Sequence, residues 1–135
     1  MEVTVKYLDG VKFEASARGH RVLCDQPLDN GGQDTGMSPP EFLLASLATC
    51  AGYYAAQYLR TRSLPTAELE IKVTAEKQSG PARLASFRIE VIAPGLDARH
   101  EEGVLRATKH CLVHNTLLNA PAIQIVVQTG VSALT

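Results

Sequence analysis

The sequence contains no tryptophan, and its three Phe and four Tyr amount to only 5% of the residues. Bulky rings therefore cannot fill the interior, and the core falls to Val, Leu, Ile and Ala. Cysteine is also scarce. Cys24, Cys50 and Cys111 are too few and too widely spaced for a disulfide-stapled secreted scaffold. An excess of one charge is missing too: 13 Lys and Arg stand against 14 Asp and Glu, a formal net charge of -1. Such a chain has no cationic surplus to release counterions, so no nucleic-acid partner is expected. No run of like charge marks a tail or a membrane-binding patch. Residues Met1 to Tyr7 alternate from the start and lack a signal-peptide apolar stretch, so a cytoplasmic, reducing location is expected.

What is present reads as globular. With 135 residues, 45% of them apolar and 20% charged, the chain fits one domain, 1–135, that can bury a core without covalent staples. Val3, Val5 and Tyr7 alternate with polar residues as a strand does. Asp9-Gly10 is a hairpin turn signal leading into Val11–Ala17, and Arg18-Gly19-His20 turns into a short strand at Arg21–Asp25. Residues 26–38 collect Pro, Asp, Asn, Gly and Ser into a polar loop long enough to suggest a function.

Ser38-Pro39-Pro40-Glu41 opens a helix, with Ser38 as cap, Pro39 at the first position and Glu41 three residues on. From Phe42 to Ala56 there is no charge, and small residues recur. The segment is too short and too rich in small and polar residues to span a membrane, so it is expected to be a helix buried nearly all round. Alternation around Leu69–Val73 and Phe87–Val91 predicts two further strands. Asp97 caps a second helix carrying Val104, Leu105, Thr108, Cys111 and Leu112, and Ile123–Val127 reads as a final strand. Strands and helices are grouped rather than strictly alternating. That order predicts an α+β fold with largely antiparallel sheets.

Neither Cys50 nor Cys111 belongs to a Cys-x-x-Cys motif, and a buried free cysteine is ordinarily a small hydrophobe. Cys111, however, sits in His110-Cys111-Leu112-Val113-His114, and Cys50 follows a helix start rich in polar groups. Two motifs then point to a family. Ser38-Pro39-Pro40-Glu41-Phe42-Leu43-Leu44-Ala45-Ser46-Leu47-Ala48-Thr49-Cys50 resembles the central-helix motif of the OsmC/Ohr family. Cys111-Leu112-Val113-His114-Asn115-Thr116-Leu117 resembles its second cysteine motif, and Asp25-Gln26-Pro27 extends the likeness.

The resemblance implies an intertwined homodimer, with a long helix at its centre and active sites at the subunit interface. It implies a thiol-dependent peroxidase acting on organic hydroperoxides. Cys50 would be the peroxidatic cysteine, Cys111 the resolving one, and a dithiol, such as one of lipoyl type, the reductant. No cofactor is implied. Glu41 would support the site or complete a capping box, and Arg18 or Arg21 would supply the cation that a thiolate needs. Pro40 stands where the best-studied peroxidases hold a Glu, no Arg precedes residue 18, and Leu112 replaces the usual Pro. The chain thus looks like the generic OsmC-like branch. These departures motivate an alternative: a non-enzymatic redox-sensing or small-ligand-binding protein. His110 and His114 flank Cys111, but without zinc-motif spacing they read as surface or capping residues, and no metal is expected. Cys24 reads as a strand residue, and Tyr53, Tyr54 and Tyr58 as packing residues.

Overall fold

Alternation near the N-terminus produces β1 (Thr4–Tyr7), and Gly10, at φ +54°, provides the left-handed backbone that the next turn requires. β2 (Phe13–Ala17) pairs antiparallel with β1, with Val5 opposite Ala15. Arg18 and Gly19, at φ 52° and 84°, form a two-residue turn whose twist matches that of the strands it joins. The chain returns as β3 (His20–Cys24), completing a sheet of order β1–β2–β3. This computed structural model describes residues 1–130, so the last five residues of the expected 1–135 unit lie outside the described part.

The polar loop after β3 is tied by one carboxylate. Asp25 is completely buried. It accepts the N–H groups of Gln26, Gln33 and Thr35 at 2.8, 3.2 and 3.0 Å, and the Thr35 hydroxyl as well. A Cβ at Gly32 would collide with the Gln26 carbonyl, and one at Gly36 would lie 2.5 Å from the Leu23 carbonyl oxygen. Glycine at both positions is what lets the loop close this tightly. The loop ends where the Asp25 N–H donates to the Met37 carbonyl at 3.2 Å, so β3 is fixed directly to the start of the long helix.

That helix, α1 (Pro39–Thr61), starts with the predicted capping box: the Ser38 N–H and hydroxyl both donate to Glu41 Oε1, at 2.9 and 2.8 Å. Its buried residues are Leu47, Ala51, Ala55 and Leu59, one stripe at four-residue spacing. The expectation of burial all round is therefore corrected. Leu43, Ser46, Thr49, Tyr53 and Gln57 form an exposed stripe, because the elements packed on α1 cover one side of it. The hairpin of β4 (Glu70–Gln78) and β5 (Arg83–Ile92), with a bulge at Glu76/Lys77, lies against the buried side. At Gly52 the approach is so close that a Cβ would stand 3.2 Å from Ile71 Cγ1.

The predicted second helix is broken. Asp97 caps a single 3-10 turn by accepting the Arg99 N–H at 2.9 Å. α2 (Glu101–Thr108) follows and sends Val104 against Ala55 and Leu59. Cys111 then adopts an extended conformation (φ −56°, ψ 123°) and caps a separate helix, α3 (Leu112–Leu118), its sulfur accepting the His114 N–H at 3.3 Å. The thiol starts a new helix rather than riding on the old one.

The predicted final strand at 123–127 is also absent in this chain: the segment pairs with no strand, and Ile123, Ile125 and Val127 are exposed. A strand is stable only in a ladder, and this segment joins neither sheet in the described chain. Val5, Phe13 and Val22 of the first sheet are similarly uncovered, apart from an apolar cleft of about 340 Å³ that Pro39 and Phe42 help to line. No helix among the described residues is long and apolar enough to cross a membrane.

Two predictions follow from this packing. Leu59→Ala, which empties a fully buried site, should cost about 2–5 kcal/mol of unfolding free energy in urea titration. Asp25 is held at about 2, below its ordinary 3.8, first by the Thr35 hydroxyl and then, against the opposing effect of burial, by the three backbone N–H groups. A lowered carboxylate pKa stabilises the fold at high pH, so this contribution is complete above pH 3.8 and is lost as pH falls to about 2. Asp25→Asn should lower the melting temperature at neutral pH and flatten its decline over that acid window.

Candidate functional site

Packing of α2 and α3 on α1 brings two of the three cysteines together. Cys50, beside Ala51 of the buried stripe, is half-buried, and Cys111, at the α2–α3 break, is fully buried. Both are free thiols, and each shifts the other's ionisation. The backbone N–H groups of Leu112 and Val113, in the first turn of α3, also favour the charged form of the Cys50 sulfur.

These contacts separate the two thiols electrostatically. Burial pushes the Cys50 thiol up, but the Cys111 thiol and the two backbone donors outweigh it and hold Cys50 below its ordinary range. Burial pushes Cys111 up, and the neighbouring Cys50 sulfur pushes it further. One sulfur is thus disposed to carry negative charge while the other keeps its proton. A thiol disposed to ionise can act as a nucleophile, and of the two sulfurs Cys50 has that disposition.

An apolar groove of about 700 Å³ is lined by Leu43, Leu47, Leu84, Phe87, Leu117 and His114; neither cysteine lines it, and His114, whose N–H donates to the Cys111 sulfur, links it to the thiols. Cys50 follows Leu43 and Leu47 by seven and three residues, so all three project from one face of α1. His114 reaches Cys111 through its backbone N–H, while its ring Nδ1 lies 3.2 Å from Asn115 Oδ1. The His110 ring instead packs against Tyr54, centroids 6.2 Å apart. Among the described residues no three His, Cys, Asp or Glu side chains converge as a metal site.

The other sequence-derived candidates sit elsewhere in the chain. Glu41 is engaged by Ser38, which holds its carboxyl below the ordinary range. It precedes Cys50 by nine residues on α1, about 14 Å along the axis and half a turn round it. Arg18 occupies the β2–β3 turn, and Arg21 lies on β3 opposite Ser16. Among the described residues, no guanidinium is among the groups acting on Cys50. Cys24 is half-buried on β3, its thiol raised by burial and by the neighbouring Asp25 charge. Sequence reasoning missed the Leu112 and Val113 donors. Backbone donors carry no residue signature, and reading 98–112 as one helix concealed the turn that exposes them.

The family model described as OsmC-like protein matches residues 31–126. No curated protein sequence matches the chain. Among solved structures, an osmotic stress induced and detoxification response protein from Psychrobacter arcticus 273-4 is similar at 22% identity and TM-score 0.75, over 84% of this chain and 85% of its own. The OsmC like protein from Mycoplasma pneumoniae gives 21% and 0.73, over 88% and 87%. The organic hydroperoxide resistance protein OhrB of Bacillus subtilis gives 17% and 0.56, over 88% and 90%. At these identities the likeness establishes the shared fold.

One substitution isolates a backbone donor. Leu112 is the first residue of α3, where proline is tolerated, and Cys111 before it already has the extended backbone that proline demands. Leu112→Pro should therefore raise the Cys50 pKa without unfolding α3, as read from the pH dependence of iodoacetamide alkylation. An unchanged alkylation profile would show that the Leu112 N–H does not act on the sulfur.

Proposed function

The chain belongs to the OsmC-like protein family, and from that premise we propose that it is a thiol-dependent peroxidase reducing organic hydroperoxides through Cys50 and Cys111. The observation that carries this reading is the pair of free thiols that act on each other, with Cys50 held low and Cys111 held high. The Cys50 thiolate attacks the distal oxygen of the hydroperoxide. The O–O bond breaks, the alcohol leaves after taking a proton, and Cys50 becomes a sulfenic acid. The Cys111 sulfur then attacks the Cys50 sulfur and water departs, leaving a disulfide. An external dithiol reduces the disulfide by two exchanges and is itself oxidised. The apolar groove linked to the thiols by His114 supports an organic rather than a purely aqueous peroxide, because its lining solvates a hydrocarbon tail. A dithiol reductant and reactive thiols both fit a reducing, cytoplasmic setting.

The active unit proposed is a homodimer. Within one chain Glu41 points away from Cys50, and the β2–β3 hairpin bearing Arg18 and Arg21 packs on neither thiol. We assign these three residues to the Cys50 of a partner copy, across the apolar surfaces that one chain leaves uncovered. The alternative, a redox-sensing or ligand-binding protein without turnover, draws its support from the absence, among the described residues, of a guanidinium acting on Cys50.

Stopped-flow mixing with cumene hydroperoxide tests these readings. Cys50→Ser should abolish peroxide consumption. Cys111→Ser should consume one equivalent and leave a sulfenic acid that dimedone traps, with turnover by dihydrolipoamide reduced at least about a hundredfold. Wild-type protein that oxidises once but is not recycled by any dithiol would favour the sensing alternative.

A further inference from the structure

Away from the thiols, α1 and α2 enclose a second groove of about 600 Å³, and its chemistry is opposite to that of the apolar one. Its walls include Arg62 from the end of α1 and Arg106 from the last turn of α2, with Gln57, Thr61 and His110 between them. No carboxylate lines it. Arg62 is pre-positioned: its guanidinium lies 3.6 Å over the Tyr58 ring, and Nη1 donates to the Tyr58 carbonyl and the Thr61 hydroxyl, both at 3.2 Å. Tyr58 is itself fixed, its hydroxyl 3.0 Å from His100 Nδ1. Gly103 leaves the room that the ring occupies, since a Cβ there would collide with it. Among the described residues Arg62 has no carboxylate partner, whereas Arg106 pairs only loosely with Glu102, at 3.6 Å and largely in solvent.

A guanidinium whose plane is fixed by a ring and a carbonyl, with its remaining N–H edge uncommitted, is arranged to receive an oxyanion in bidentate fashion. A second guanidinium on the facing helix selects for more than one negative charge. The volume exceeds that of a single phosphate ion. We infer that this groove is a binding site for a small polyvalent oxyanion, phosphate- or carboxylate-bearing, held between Arg62 and Arg106 and separate from the thiol pair. The charge and the rigidity are properties of the groove itself, so the inference does not depend on peroxidase activity.

Titration of the full-length, 15N-labelled protein with pyrophosphate and with citrate, at ionic strength held constant with NaCl, tests it. Saturable amide shifts confined to residues 57–62 and 103–110 are expected. A response to pyrophosphate alone identifies a phosphate ligand, and a response to citrate alone a carboxylate. Arg62→Gln and Arg106→Gln should each weaken binding about tenfold or more, as loss of a charged hydrogen-bonding group does. Because Arg62→Gln also removes packing on Tyr58, Arg106→Gln serves as the variant that leaves the fold untouched. Glu102→Gln should strengthen binding, by up to about fivefold, by freeing Arg106 from its exposed ion pair. Shifts no larger than those of NaCl alone would overturn the inference. So would an affinity indifferent to all three substitutions.

Discussion

The structure depends on one stripe of one helix. Leu47, Ala51, Ala55 and Leu59 are the side of α1 against which the second half of the chain is assembled. Two of these four are alanines, and Gly52 stands beside them, so the β4–β5 hairpin and α2 reach the helix backbone instead of resting on long side chains. In a chain without tryptophan this is how density is gained: by close approach rather than by bulk. The cost is breadth. A narrow stripe covers one face only, and the opposite face of α1 keeps Tyr53 in solvent.

The same close approach creates the thiol chemistry. Cys50 belongs to the helix that does the packing, and Cys111 to the joint between the two helices packed on it. Their difference comes from position and from each other: Cys50 is favoured in its charged form by the Cys111 thiol and by backbone N–H groups at a helix start, and Cys111 lies at 0% exposure, where burial and the Cys50 sulfur both oppose its ionisation. A protein can thus bias two identical side chains in opposite directions by burial, backbone geometry and their mutual influence.

How much of this was legible in the sequence varies with the range of the interaction. The hairpin turns, the Ser38–Glu41 cap and the alternation in β1, β4 and β5 are local signals, and the structure matches them. The pairing of Cys50 with Cys111 was legible only through family resemblance, because residues 61 positions apart share no local pattern. The break at Cys111 was not legible. Its cause is a sulfur accepting a backbone N–H, and cysteine is no strong cap by propensity. The burial of Asp25 escaped notice for a related reason: an Asp at a strand end is ordinarily exposed, and only the folded loop supplies its four donors. Residues 123–127 carry a true strand pattern, and what they lack is a neighbour, which no pattern within the segment can supply.

That orphaned stretch has a kinetic consequence. Ala122 to Gln128 contains no charge and, after Ala122, consists of β-branched residues and glutamine, the composition from which cross-β stacks grow. Until something covers it, any two chains that meet can join there in or out of register, and productive and wasteful encounters both become more frequent with concentration. Pro121 guards one end of the stretch, but nothing within it does so. Stacking through such a segment grows steeply with chain concentration, so rapid expression is the condition that favours it most.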